Sequence, residues 1–105
     1  MANRLQVATQ LDQIRVELIQ LSLWQAAAPP AAALQSTEPF CIDTLDLSQW
    51  LQWILLPRMH ALLDEGLPLP GNCNIHPIAE QNFNGFTLDC NRLLTAIREL
   101  DRTLG

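Results

Sequence analysis

Cys73 and His76 stand in a C-x-x-H spacing, with Cys90 further along the chain and His60 upstream. Thiolate and imidazole are zinc ligands, but zinc needs a third ligand and usually a fourth in suitable geometry. One short pair and two remote residues do not make such a framework, so no metal is expected. Cys41 with either histidine would be the raw material for thiol catalysis. That chemistry needs hydrogen-bond contact and an activated, accessible thiolate. No motif surrounds any cysteine, and the expectation is buried thiols, no cofactor and no independent catalysis. Arg58 is different. Regular helical spacing puts it on the side of Leu47, Leu51 and Leu62. A guanidinium there must pair with an acid such as Asp43 or Glu80, or reach past the core to water. Left unpaired, it would suit a carboxylate or phosphate. Trp50 and Trp53 lie three apart, and Trp24 ends the first helical segment. Tryptophan is enriched at binding hot spots and serves equally as a large core residue. Trp53 is the favoured anchor, because its bearing leaves the main apolar face and approaches that of His60. The candidate binding residues are therefore Arg58, Trp50, Trp53, His60 and His76.

The elements that must position these residues read as helices. Over residues 3–25, Val7, Leu11, Ile14, Leu18 and Leu21 recur at alternating spacings of four and three, the stripe of an α-helix. Leu5, Ala8, Val16, Ile19 and Trp24 widen it. The AAAPPAAA run at 26–33 breaks the helix at Pro29, and a short helical piece is expected over 30–35. Residues 36–44 read as an extended loop that lays Phe40, Cys41 and Ile42 over the core. Asp46 is an N-cap residue with Gln49 three positions on, a capping box. The helix it starts is expected to run to about Glu65, where Gly66, Pro68 and Pro70 stop it. That helix is apolar nearly all round, which predicts a central place wrapped by neighbours. Pro57 in its interior removes a ladder hydrogen bond and predicts a kink near Trp53. A Pro-Gly-rich connection then leads to a short helix over 77–83, starting at Pro77. After the Asn84-Gly85 turn, Thr87 is expected to cap the last helix, with Asp89 in its first turn. Leu93, Ile97, Leu100 and Leu104 form its stripe, with Cys90, Leu94 and Ala96 beside it.

Composition agrees with this pattern. The 105 residues are enough for one domain, and 49% of them are apolar. There is no tyrosine and few other strand formers. The fold class that follows is all-α, an up-and-down bundle of three longer helices plus one or two short ones. The formal net charge is −5, and all the basic side chains are arginines. Such a surface repels phosphate, so direct nucleic-acid binding is not expected. The best arginine cluster, Arg92, Arg98 and Arg102, is interleaved with Asp89, Glu99 and Asp101. Three cysteines without a C-x-x-C pair, no signal peptide at the N-terminus and no apolar run of about 20 residues point to a cytoplasmic protein with reduced thiols.

The stretch PFCIDTLDLSQWLQWILLPRM from Pro39 to Met59, followed by LLDEGLPLPGNCNIHPIAE, resembles the YqcC family of small bacterial proteins. The most specific segments are Pro39-Phe40-Cys41, Gln49-Trp50-Leu51-Gln52, Leu56-Pro57-Arg58-Met59 and Leu67-Pro68-Leu69-Pro70. The resemblance covers the whole chain. It implies a compact helical bundle and a gene neighbourhood shared with a tRNA pseudouridine synthase of the C type. Such enzymes use a catalytic aspartate within a large mixed β-sheet domain. This chain has neither the strand pattern nor the length for one, and its six aspartates fall in caps, turns or amphipathic helices. Two functions follow as expectations. One is a non-enzymatic accessory protein that binds another protein, such as a tRNA-modifying enzyme. The other is a small-molecule domain with an apolar pocket closed by Arg58 over an anionic group. Dimerisation through an apolar helix face is compatible with either.

Overall fold

Four leucine-sized residues decide how the first helix sits. Val7, Leu11, Ile14 and Leu18 are fully buried along one face of α1 (Arg4–Gln20). Their spacing brings them back to the same side every three or four residues. The computed structural model describes residues 4–71, 74–84 and 89–104 of the chain. Among these it contains helices and connecting loops but no strand.

After α1 come a short helix α2 (Ala31–Leu34) and a 3₁₀ turn (Pro39–Cys41). A long helical rod follows, made of α3 (Leu47–Trp50), one wide π-type stretch (Leu51–Leu55) and α4 (Leu56–Asp64). α5 (Ile75–Phe83) and α6 (Asn91–Leu104) complete the bundle. The main seam is α1 against α6, where Leu93, Ile97 and Leu100 meet the α1 stripe with no exposure. Side-chain ties fix the directions. Arg4 at the start of α1 reaches the end of α4, donating to the carbonyls of Leu62 and Leu67, both at 2.8 Å. Those carbonyls lie in and just beyond the last turn of a helix, where a cation is favoured. Asp101, late in α6, accepts from the N–H groups of Ile75 and His76 at 3.1 and 2.8 Å and so caps the start of α5. α1 therefore runs antiparallel to the rod and α5 antiparallel to α6, an up-and-down order in which the short α5 takes its turn.

α1 ends five residues earlier than its apolar pattern suggests. Ser22 takes a left-handed φ of 61°. The Leu23 N–H donates to the Leu18 carbonyl at 2.9 Å and the Ser22 N–H to that of Ile19 at 3.0 Å. This is a Schellman stop, with serine at the position that favours glycine. Pro29 is thus not what ends the helix. Left-handed backbone strains a residue with a Cβ, and Ser22→Gly should stabilise the fold by about 0.5–1 kcal/mol, read as a raised denaturation midpoint. Gly66 closes α4 the same way, with φ 67° and the Leu67 N–H on the Leu62 carbonyl at 2.9 Å. That stop is where the glycine and prolines place it.

Several expectations change on contact with the structure. Leu5 and Ile19 widen the α1 stripe on paper but are exposed. Of the loop residues expected over the core, Cys41 is buried and Phe40 half-buried, while Ile42 is exposed. The 36–44 segment is not extended, because Phe40 and Cys41 both take left-handed φ values inside a tight turn. The rod is not wrapped on all sides: Pro57, Arg58, His60 and Ala61 face solvent, and the central seam belongs to α1 and α6. α5 begins at Ile75 rather than Pro77, since the Asp101 carboxylate caps it two residues earlier. Asp89 precedes α6 and accepts from the Asn91 N–H at 3.0 Å. Thr87 lies outside the described residues.

Candidate functional site

The rod carries Trp50, Trp53, Arg58 and His60, so its local geometry decides what they face. It starts as the sequence predicts: Gln49 Oε1 accepts from the Asp46 N–H at 2.8 Å, in a capping box. Before Pro57 the ladder changes. The Leu56 N–H donates to the Leu51 carbonyl, five residues back, and every junction residue stays in the right-handed region. A turn with an i→i+5 bond holds one residue more than an α-turn. Everything downstream is therefore rotated by about 100° from the regular pattern. Leu56 and Met59 consequently turn into the core, and Arg58 turns out to water. Among the described residues Arg58 pairs with neither Asp43 nor Glu80. Glu80 instead sits 3.4 Å from Nδ1 of His76.

Gln25, in the loop after α1, gathers the QWLQW segment around itself. The Gln25 N–H donates to Gln52 Oε1 at 2.8 Å, and Gln52 Nε2 donates back to the Gln25 carbonyl at 2.7 Å. Trp53 Nε1 and Gln49 Nε2 both donate to Gln25 Oε1, at 3.1 and 3.4 Å. Gln52 is buried, so this two-point clamp fixes the loop against the rod. Trp50 packs elsewhere, its ring meeting Phe40 edge-on with centroids 4.9 Å apart. The residues of one of the most specific segments thus act structurally. No sequence signal marks Gln25, which sits beside an alanine run.

Beside the clamp lies an open groove of about 430 Å³, lined by Trp24, Trp53, Pro57, His60 and Arg15 among others. Trp24 is exposed and Trp53 half-buried, its Nε1 held by Gln25. The structure thus brings Trp53 and His60 to one surface. Trp50 and Arg58 are on the same rod but do not line this groove, and His76 lies on α5. The guanidinium at the groove is Arg15, 2.8 Å from Asp12. A second, larger groove of about 720 Å³ runs between α1 and α6.

The thiols offer little chemistry. Cys41 and Cys90 are free and buried. Burial, and then the neighbouring Asp89 charge, push the Cys90 thiol up, which disfavours its thiolate. Cys73 lies outside the described residues. Among the described residues no three His, Cys, Asp or Glu side chains gather as a metal site would require. No helix among them is long and apolar enough to cross a membrane.

Known proteins of the same kind include an uncharacterized protein of Haemophilus influenzae, 41% identical over 98 residues, which are 93% of this chain and 92% of that one. The uncharacterized protein YqcC of Escherichia coli is 40% identical over 74 residues, 70% of this chain and 68% of its own. A protein of Pectobacterium carotovorum named tRNA pseudouridine synthase C is 47% identical over 70 residues. These cover 67% of this chain but 19% of that protein. The solution NMR structure of E. coli YqcC superposes with a TM-score of 0.84 at 33% identity, covering 99% of this chain and 89% of that one. The DUF446 family model, described as tRNA pseudouridine synthase C, matches residues 6–103, and the chain belongs to this family, that of YqcC.

Proposed function

We propose that the chain is an accessory domain that binds another protein, and that its partner is a tRNA pseudouridine synthase. The observation that carries this reading is the Pectobacterium match. The shared segment occupies 19% of a protein bearing that enzyme's name, while the Haemophilus relative is matched over nearly its whole length. A domain joined covalently to a second unit meets it at high effective concentration. The same domain as a separate chain must recognise that unit by its surface. Two features suit such recognition. The groove beside Gln25 presents Trp24 and Trp53, the residue type most enriched at binding hot spots. The net charge of −5 complements the basic surface that an RNA-modifying enzyme needs for phosphate contacts. A pocket closed by Arg58 has less support, since Arg58 is exposed and the cation at the groove, Arg15, is already paired.

The test is to mix the purified chain with the tRNA pseudouridine synthase C of its own host and measure mass by light scattering on a sizing column. A stoichiometric complex is expected, weakened by Trp24→Ala, a change at an exposed side chain that leaves the Gln25 clamp intact. Separate elution at micromolar concentrations, with no change in the enzyme's turnover on tRNA, would overturn the reading.

A further inference from the structure

The larger groove runs along the α1–α6 seam, on the other flank of α1 from the tryptophans: Arg15 and Glu17 point about 200° apart round the helix. Glu17 lines this groove and is only 4% exposed. Its carboxylate accepts one hydrogen bond, from Gln13 Nε2 at 2.9 Å, and has no ion pair among the described residues. A buried carboxylate is costly unless a cation or several donors meet it. Arg92 also lines the groove, but it is exposed and unpaired with Glu17.

A second group in the same groove is short of a donor. Gln10 Nε2 donates to Thr103 Oγ1 at 2.8 Å, and that hydroxyl donates to the Glu99 carbonyl at 2.9 Å. The hydroxyl that accepts the Gln10 N–H thus has an acceptor of its own in the Glu99 carbonyl. Gln10 Oε1 is left buried with no partner. Gln10 and Glu17 are seven residues apart, about 10 Å along α1. Gln10 Oε1 has no donor, and the Glu17 carboxylate has one for its full charge. A ligand that completes this groove must bring positive charge and N–H groups spread over that length.

We propose that the α1–α6 groove receives a basic segment of the partner protein, with an arginine guanidinium on the Glu17 carboxylate and a backbone N–H toward Gln10. This rests on the protein-binding reading above and adds a second contact to it. A guanidinium carries five donors and no acceptor, and it suits buried pairing with a carboxylate better than an ammonium. The peptide backbone around it supplies the more distant donor. Arg92 lines the same groove as an exposed like charge and repels an incoming arginine, so its removal favours binding.

Isotope-labelled full-length chain titrated with a hexa-arginine peptide, with a glycine-serine peptide as control, tests this by amide chemical shifts. Saturable shifts confined to residues of α1 and α6 along the groove are expected. Glu17→Gln, nearly the same shape without the charge, should weaken binding by roughly tenfold or more, and Arg92→Ala should strengthen it. No shifts, or shifts scattered over the acidic surface and unchanged by Glu17→Gln, would overturn the proposal. Spermidine occupying the groove where the peptide does not would overturn the peptide assignment. A synthase complex that leaves the groove unperturbed would defeat this inference alone, whereas peptide binding without any synthase complex would defeat the choice of partner alone. Melting of each variant by circular dichroism confirms that the fold is retained.

Discussion

Gln52→Leu is expected to lower the stability of the fold by about 2–4 kcal/mol, although it keeps the volume of a buried side chain. Gln52 answers both backbone polar groups of Gln25, accepting from its N–H at 2.8 Å and donating to its carbonyl at 2.7 Å. Each group left without a partner costs about 1–3 kcal/mol when water cannot replace it. Loss of the clamp also frees Gln25 Oε1, to which Trp53 Nε1 donates. The denaturation midpoint should therefore fall, and tryptophan emission should shift to the red in the folded variant. A change within about 0.5 kcal/mol, the ordinary range of surface substitutions, would show that water satisfies the loop equally well. The segment around Gln52 would then need another role.

The other large effect is at the main seam. Leu11 is fully buried between α1 and α6, and Leu11→Ala should cost about 2–5 kcal/mol, part transfer and part cavity. In a domain of this size that is a fall in melting temperature of roughly 10–30 °C. Leu5 is the matched control, a leucine six residues earlier on the same helix but 79% exposed. Leu5→Ala should move the melt little. Parallel thermal denaturation of the two variants reads the difference. If both fell equally, the packing of α1 against α6 would be misassigned.

Periodicity made the helices legible because each long element repeats its apolar residues every three or four positions. The capping box at Asp46 and Gln49 and the stop at Gly66 were legible because one residue type has one job there. Arg58 was misplaced for a single reason: a wheel drawn at a constant angle per residue assumes an unbroken α-ladder, and the wide stretch Leu51–Leu55 breaks it. Ser22 stopped α1 without the usual glycine, so its left-handed turn left no mark in composition. Gln25 was invisible because its partners lie 24 to 28 residues away. The grooves were invisible for a related reason. Sequence identifies which faces are polar, but not that Glu17 and Gln10 remain short of donors once α6 is in place.

The wide turn before Pro57 also gives the rod one residue of slack in its length. Remove one residue between Leu51 and Leu55 and the ladder can close into a regular α-helix. The half beyond it then keeps its facing, because one residue fewer cancels the extra residue that the wide turn holds, and Met59 stays in the core with Arg58 outside. A deletion in the regular turns that flank this stretch has no such slack, and it swings every residue beyond it by about 100°. The segment Leu51–Leu55 is therefore where the rod can lose one residue and keep its core, and its tolerance to a one-residue gap should exceed that of the turns on either side.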